Sequence, residues 1–312
     1  MAVGSRPLVP SRLAPLPAGH RAASSTRQSR LGGFVALTKP RIIELLLVTT
    51  VPTMVLAERG WPSTMLVLIT LIGGTLAAGG ANAFNMYVDR DIDRLMERTR
   101  RRPLVTGVVR PVEALVFASA LEVAAFTVLW AGANLLAACL ALSATAFYVG
   151  VYTLWLKRTS RQNIVIGGAA GAVPVLVGWA AVTNSLSLTP WVLFAAMFFW
   201  TPPHFWALAI RYADDYRAAN VPMLPAVVPF EHAVRQMVGH TLAMVACSLW
   251  LIPVADLGWL YTSVAVVTGA VFIFATVWLG INPTAAKSMR VFGYSITYIT
   301  LLFAALTADV LL

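Results

Sequence analysis

The stretch TMLVLITLIGGTLAAGGANAFNMYVDRDIDRLMERTRRRP, residues 64–103, contains the two features that decide the fold. An apolar run passes without a break into three aspartates, a glutamate and a series of arginines. Apolar runs of about 20 residues can cross the roughly 30 Å hydrocarbon core of a bilayer as helices. Such runs recur from residue 42 to the C-terminus, and only 12% of the 312 residues are charged. This composition excludes a soluble domain and predicts an all-α polytopic membrane protein.

Nine transmembrane helices fit the apolar runs. Their predicted ranges are 42–57, 64–87, 112–130, 135–156, 164–182, 190–210, 236–254, 259–280 and 291–311. With the N-terminus inside, every one of the 23 Lys and Arg residues except Arg59 belongs to an inner segment. This distribution follows the positive-inside rule and predicts an inner N-terminus and an outer C-terminus. It also accounts for the net charge of +10 without a nucleic-acid partner.

Residues 1–37 differ from the rest of the chain because they are rich in Arg, Ser, Pro and Ala and contain no acidic residue. We expect a basic, disordered N-terminal tail near anionic lipid, followed by one membrane domain over residues 38–312. The same composition is typical of an organellar transit peptide. The predicted location is therefore the cytoplasmic membrane, with the mitochondrial inner membrane as the alternative.

Two long inner segments, 88–111 and 211–235, have acidic residues that are rare elsewhere. In the first, Asn85, Asp89 and Asp93 are spaced four apart, so a helix would place them on one face and Asp91 on another. Carboxylates at a helix C-terminus are unfavourable unless a cation compensates them. Oxygen ligands beside a phosphate group suit Mg²⁺. The alternative is a solvated loop whose acids pair with neighbouring arginines.

Basic side chains beside these acids are candidates for binding a diphosphate, because guanidinium and ammonium groups pair with phosphate oxygens. They are Lys39 and Arg41 before the first span, Arg101 and Arg102 after the second, and Lys157 and Arg158 after the fourth. An alternative role for each of them is to anchor the chain at the inner membrane surface.

Span six carries two further candidates. Near its inner end, Asp214 and Asp215 with Tyr212 and Arg217 indicate a second acidic site on the same membrane face, or else an ordinary charged helix terminus. Within the span, His204 follows a Pro-Pro pair and stands among aromatic residues. It is either a hydrogen-bonded core histidine or a contact for a flat aromatic macrocycle.

Five strings extend this pattern and resemble the UbiA-type intramembrane prenyltransferases. They are LTKPRI (37–42), NMYVDRDIDRLMERTRRRPL (85–104), YTLWLKRTSRQN (152–163), WTPPHFWALAI (200–210) and DDYRAANVPMLP (214–225). Within that family they are most similar to the branch that farnesylates protohaem IX. The resemblance runs from about residue 34 to the end of the chain.

The resemblance implies helices around a central cavity that opens to lipid, with Mg²⁺ as the metal. By position, Asn85, Asp89 and Asp93 match the family's first metal–diphosphate motif, and Asp215 matches the start of the second. Members of the family often have a further Asp where this chain has Ala219, and a Lys where it has Asp214. These differences put the second metal site in doubt. His204 is similar in place to a histidine proposed to meet the haem.

The function implied by the resemblance is transfer of farnesyl from farnesyl diphosphate to a vinyl group of protohaem IX, with addition of water, to give haem O for terminal oxidases. A haem A synthase would act downstream. Two alternatives remain open. One is a related prenyltransferase that acts on another aromatic or quinone-precursor acceptor. The other is a haem-binding transporter or assembly factor without catalysis.

Overall fold

The structure is a computed structural model that describes residues 29–281 and 283–312, without the side chains of residues 41–47. Every regular element among these residues is helical. The part of the predicted disordered tail that covers residues 1–28 lies outside the described residues.

Fourteen α-helices follow one another in this part of the chain. They are α1 Arg30–Thr38, α2 Pro40–Glu58, α3 Thr64–Asp89, α4 Pro103–Thr106, α5 Pro111–Gly132, α6 Leu135–Ala146, α7 Lys157–Thr159, α8 Asn163–Thr183, α9 Leu188–Arg211, α10 Ala213–Ala218, α11 Leu224–Val227, α12 Phe230–Val254, α13 Trp259–Ile281 and α14 Ala285–Leu311. A 3₁₀ turn, Ile92–Arg94, lies between α3 and α4, and a π-helical segment, Phe147–Leu156, joins α6 to α7.

Eight helical stretches within the described residues are long and apolar enough to cross a membrane. They are α3, α5, the continuous stretch Leu135–Thr159, α8, α9, α12, α13 and α14. Helix α2, with 19 residues, occupies the place of the predicted first span. The helices at the seventh and ninth positions begin at Phe230 and Ala285, before the predicted 236 and 291. They start earlier because a helix continues through its charged first turns, where the apolar run has not yet begun.

The N-terminal helix α1 covers residues that we expected to belong to the disordered tail. Its cap is Ser29, whose hydroxyl accepts a hydrogen bond from the Gly32 amide at 3.1 Å. Leu37 is fully buried in a cluster with Leu104 and Val109. The segment is therefore docked on the end of α3 and the beginning of α5 and does not belong to a free tail.

Small residues bring the membrane helices into close contact. Helix α3 packs along α5, where a Cβ atom on Gly73 would lie 2.5 Å from the Leu129 side chain. Helix α8 is packed against α2, α6 and α9, and a Cβ on its Gly178 would lie 2.8 Å from the Thr50 carbonyl oxygen of α2. Such close approach is the usual way in which membrane helices associate.

The π-helical segment Phe147–Leu156 differs from the regular helix expected for the fourth span. Within it, the Thr153 hydroxyl donates to the Tyr148 carbonyl five residues earlier, at 2.8 Å. π-helical turns are often found at functional sites. Here the segment directs Thr153 toward the end of α3 and leads directly into Lys157.

Candidate active site

The end of α3 holds the first two residues of the predicted acidic motif. Asn85 is 3% exposed and Asp89 is fully buried. The Asn85 side-chain amide donates to Asp89 Oδ2 at 2.8 Å and to Thr153 Oγ1 at 3.1 Å. Because they are one helical turn apart, the two side chains act as a single polar unit at the C-terminal end of α3. Sequence reasoning missed Thr153, since a threonine in an apolar span is not distinctive.

Two lysines from other segments close on this unit. Lys39 Nζ donates to Asn85 Oδ1 at 2.9 Å, and Lys157 Nζ donates to Asp89 Oδ2. Burial lowers the pKa of Lys39 well below its ordinary value, and the positive charges of Arg102 and Lys157 act in the same direction. A bound anion would favour the charged form of Lys39.

The backbone of Lys39 is also unusual, because it lies in the left-handed region with φ 52°. A residue other than glycine adopts this conformation at a cost of roughly 1–2 kcal/mol. Lys39 lies in the turn between α1 and α2, and Pro40 begins the next helix. The strained turn directs the Lys39 ammonium group into the site, and strain of this kind is concentrated at functional positions.

Asp93 lies in the same region as Asn85 and Asp89, but not on the helix face that the spacing predicted. A single helix face through Asn85, Asp89 and Asp93 was expected, but α3 ends at Asp89 and Asp93 lies in the 3₁₀ turn. Its side chain is buried and accepts a hydrogen bond from Arg102 Nη1 at 2.6 Å. The turn is stabilised by the Thr99 hydroxyl, which donates to the Asp93 carbonyl at 2.9 Å.

Asp91 points away from this cluster, as its place in the spacing predicts. Both of its carboxylate oxygens accept hydrogen bonds from the Arg158 guanidinium, each at 2.7 Å. These bonds lower the pKa of Asp91 to about 2. Arg158 Nη2 is also 4.0 Å from Asp89 Oδ1, so one arginine connects the exposed acid to the buried one.

Both buried acids of the first motif are therefore paired with cations: Asp89 with Lys157 from another segment, and Asp93 with Arg102 later in the same segment. The sequence alternative had the acids pairing with arginines nearby in the loop, such as Arg90, Arg94 and Arg98. The observed partners of Asp89 and Asp93 are Lys157 and Arg102 instead. Within the described residues, these side chains compensate the two buried acids, and the metal that the spacing predicts stays a prediction.

The second predicted site contacts the first through a hydrogen bond between segments 88–111 and 211–235. Asp215, in α10, accepts a hydrogen bond from the Arg98 backbone amide at 3.2 Å. The Arg98 guanidinium lies 5.7 Å from the centre of the Tyr212 ring. Burial raises the pKa of Tyr216, and the nearby Arg98 opposes this shift. The acidic side chain of Asp215 thus lies at the edge of the first cluster.

Other predicted residues lie away from the cluster. Asp214 is exposed and pairs with Arg217 at 2.6 Å, while Arg217 Nε donates to the Ala226 carbonyl. The carboxylate of Asp214 thus lies at the surface, paired with Arg217 and apart from the buried cluster. Arg101 is exposed. The Arg41 side chain lies outside the described residues.

The oxygen atoms at the end of α3 fit a hard divalent cation that shares its coordination with a substrate. Among the residues that the structure describes, no three His, Cys, Asp or Glu side chains converge closely enough to hold a metal by themselves. However, Asp89 Oδ1 is buried and has no hydrogen-bond partner. An unpaired buried carboxylate oxygen is costly, and Mg²⁺ typically takes one or two carboxylates with substrate phosphates.

His204 lies in a separate aromatic environment where α9 meets α14. Its ring centre is 4.2 Å from that of Trp200 and 4.6 Å from that of Phe292, and both pairs are stacked. His204 Nδ1 is 2.6 Å from Ser295 Oγ. Both sequence alternatives agree with this setting, since the histidine is hydrogen-bonded and also flanked by flat rings.

Comparison with known families identifies this arrangement. The sequence model of the UbiA prenyltransferase family matches residues 46–305. The chain belongs to the UbiA prenyltransferase family. In this UbiA member the match contains the acidic motif at the end of α3, the basic end of α7 and the whole of α9.

Several curated relatives are close in sequence. A Protoheme IX farnesyltransferase of Paenarthrobacter aurescens (strain TC1) is 52% identical over 300 residues, which cover 95% of this UbiA chain and 94% of the relative. A Protoheme IX farnesyltransferase of Clavibacter sepedonicus is 56% identical over 285 residues, which cover 89% of this chain and 92% of the relative. One of Streptomyces coelicolor is 52% identical over 287 residues, covering 90% and 91%.

Solved structures share the UbiA fold. A structure described as digeranylgeranylglyceryl phosphate synthase superposes with a TM-score of 0.75 at 16% identity, covering 90% of this chain and 98% of that one. An apo UbiA homologue from Aeropyrum pernix K1 gives 0.69 at 21% identity, covering 87% and 98%. A UbiA homologue from Archaeoglobus fulgidus bound to GPP and Mg²⁺ gives 0.59 at 18% identity, covering 88% and 99%.

Proposed function

We propose that the chain transfers the farnesyl group of farnesyl diphosphate to a vinyl group of protohaem IX. The product, after addition of water, is haem O. The observation that carries this proposal is the name shared by relatives that are 52–56% identical over about nine-tenths of the chain. The buried acid–cation cluster at the end of α3 supports it, because a diphosphate-releasing enzyme needs such groups.

The diphosphate would be bound by the cations that now pair with oxygen atoms around the end of α3. Lys39, Arg102, Lys157 and Arg158 converge on the end of α3, and each can exchange a side-chain acceptor for a phosphate oxygen. Mg²⁺ would be held by Asn85, Asp89 and Asp93, with Asp215 at the edge, and would supply neutralisation of the departing diphosphate. Asp214 and Arg217 are not part of this proposal, because they pair with each other at the surface.

The reaction begins when the bond between farnesyl C1 and the diphosphate oxygen breaks, and its electron pair leaves with the diphosphate. The cations hold the leaving group and so lower the cost of that separation. The terminal vinyl carbon of protohaem bonds to C1, which leaves positive charge on the inner vinyl carbon. Water adds there and loses a proton, giving a hydroxyl group. We expect aromatic faces in the fifth and sixth spans to stabilise the allylic cation.

The site would lie on the cytoplasmic face of the cytoplasmic membrane. We propose nine spans, with α2 as the first, an inner N-terminus and an outer C-terminus, because Arg59 alone among the Lys and Arg residues belongs to an outer segment. The mitochondrial alternative depends on whether residues 1–37 are a transit peptide. The product would pass to an enzyme that oxidises it further, such as a haem A synthase.

The variant Asp89→Asn tests this function. It removes the buried charge opposite Lys157 with almost no change of shape, so we expect prenyl transfer to fall by at least about a hundredfold, as for loss of a group essential to charge stabilisation. Purified protein would be mixed with farnesyl diphosphate, haem and Mg²⁺, and the product identified by its mass.

The matched control is Asp256→Asn, in the outer turn between α12 and α13, whose side chain is 90% exposed. It should retain wild-type turnover. Wild-type turnover in Asp89→Asn would contradict the site. A wild-type product whose mass shows a different acceptor would contradict protohaem as the substrate.

A further inference from the structure

The environment of His204 contains a hydrogen-bond chain that the proposed reaction does not yet use. Ser295, on α14, is fully buried, and its Oγ is close to two groups. It is 2.6 Å from His204 Nδ1 and 2.6 Å from the Phe292 carbonyl oxygen. A serine hydroxyl has one hydrogen to donate and lone pairs with which to accept.

The two distances determine which atom donates in each bond. The Phe292 carbonyl can only accept, so the single Ser295 hydrogen points to it. Ser295 Oγ then accepts from His204, and the hydrogen of that bond is on Nδ1. In a neutral imidazole only one nitrogen carries a hydrogen. Nε2 of His204 therefore carries a free lone pair.

The surroundings of the His204 ring leave Nε2 as its free polar atom. Trp200 and Phe292 stack on the ring with centroid distances of 4.2 and 4.6 Å. Two rings this close cannot share one face, so they cover opposite faces. The Nδ1 edge is taken by Ser295. Among the described residues, Nε2 has no hydrogen-bond partner. Phe205 also lies edge-on to the ring, with a centroid distance of 5.7 Å. Nε2 is therefore the polar atom through which the ring can bind a ligand.

The position of Ser295 is itself held in place. The Trp200 indole N–H donates to the Ser295 backbone carbonyl at 2.8 Å, so α9 is bonded to α14 beside the histidine. The same tryptophan covers one face of His204. The ring orientation and its tautomer are thus both fixed before any ligand arrives. This arrangement matches that of metal-binding histidines, whose second nitrogen is held by a protein acceptor.

We propose that Ser295 is a positioning residue that fixes the His204 tautomer, so that Nε2 binds the iron of protohaem. This inference rests on the proposed function, because protohaem is its acceptor substrate. Ser295 touches neither substrate and acts through the histidine. Without the hydroxyl, nothing selects the Nδ1–H form, and the tautomer with the hydrogen on Nε2 cannot ligate the iron.

The test is a titration of the purified full chain in lipid nanodiscs with ferric haem, followed by its absorption and electron paramagnetic resonance spectra. We expect a nitrogen-ligated iron in wild type and loss of that ligand in His204→Ala. Ser295→Ala should weaken haem binding by about tenfold, as expected when the partner of a metal-binding histidine is removed. In a His204→Ala background, Ser295→Ala should change nothing further.

The matched control is Ser288→Ala. Ser288 is also fully buried on α14, and its hydroxyl donates to the Ala285 carbonyl at 2.8 Å, three residues earlier, as Ser295 does to Phe292. This variant removes the same group without touching the histidine, so haem binding should stay within about twofold of wild type, against the tenfold loss expected at Ser295. Ser295→Cys is a second variant with similar volume and a much weaker acceptor, and should behave like Ser295→Ala.

Unchanged haem affinity and spectrum in either Ser295 variant would overturn the inference, as would an unchanged iron ligand in His204→Ala. Failure of the proposed function looks different. In that case wild-type protein would not farnesylate haem, whatever the titrations show. If turnover persists while the Ser295 variants bind haem normally, the function stands and the role of Ser295 is wrong.

Discussion

At the scale of single residues, the site is a set of buried charges that stabilise one another until substrate arrives. Asp89 is fully buried and its main partner is the Lys157 ammonium group. Breaking a buried ion pair from one side leaves an uncompensated charge, whereas removing both partners is often close to neutral. The Asp89–Lys157 pair therefore contributes to the stability of the fold and also belongs to the site proposed to bind the diphosphate.

The variant Lys157→Met tests that link. It should lower the free energy of unfolding by about 3 kcal/mol, because Asp89 loses its cation in a dry site. Lys157→Met combined with Asp89→Asn should recover most of that stability without recovering prenyl transfer. Thermal unfolding in detergent and product formation would be measured side by side.

The control for this pair is Lys287→Met, a lysine of α14 that lies 5.3 Å from the centre of the Trp278 ring and outside the cluster. Its loss should have little effect on either measurement. If the double variant were less stable than Lys157→Met alone, the two side chains would not form the coupled pair described here.

At the scale of elements, the site depends on helices that approach one another closely. Helix α8 packs on α2, and α2 begins next to Lys39. Helix α8 also follows α7 after a short loop, and α7 begins with Lys157. Gly178 permits the α2–α8 contact, because a Cβ there would lie 2.8 Å from a backbone oxygen. A backbone atom cannot rotate out of the way as a side chain can.

Gly178→Ala should therefore destabilise the protein by about 1–3 kcal/mol, the usual cost of overpacking. Gly171→Ala is the control on the same helix, since a Cβ at Gly171 meets nothing within 4 Å. Alanine favours helix over glycine by up to about 1 kcal/mol, so the control should be neutral or slightly stabilising. Equal melting temperatures for the two variants would show that the α2–α8 contact is not tight.

At the scale of the whole molecule, the site collects at one end of the helix bundle, where we propose that the basic residues face the inner side of the membrane. The end of α3 meets the beginning of α2 through Lys39 and the beginning of α7 through Lys157, and the segment after α3 meets the segment after α9 through Asp215. The segments that join them carry the acids and the cations of the site. Orientation and site chemistry therefore come from overlapping sets of residues.

Labelling from each side of the membrane tests this orientation. In a chain with Cys139 and Cys247 changed to Ala, Glu97→Cys should react with an impermeant thiol reagent only in inverted vesicles. Asp256→Cys should react only in right-side-out vesicles. An epitope after Leu312 should be accessible from the outside if there are nine spans. Labelling of both cysteines from the same side would contradict the proposed topology.

The sequence by itself determined the class of fold and the chemistry of the site. Apolar runs have to form helices in lipid, because each backbone amide must be hydrogen-bonded within its own segment. Carboxylates at the end of such a helix require a cation, so Asp89 could be proposed as a site residue from residue type and position, and the spacing added Asn85. Lys157 could be named only as a diphosphate candidate or a membrane anchor. Resemblance to a known family added the substrates.

The tertiary structure decided which groups meet. Spacing predicted one helix face through Asp93, but α3 ends at Asp89 and a 3₁₀ turn brings Asp93 to Arg102. Spacing also could not show that Asp214 faces outward, or that Ser295 of α14 holds the histidine of α9. Periodicity describes one helix at a time, whereas these contacts depend on where a helix ends and how the loop after it turns, and at Ser295 on the packing of two helices whose contacting residues are 91 apart in the chain.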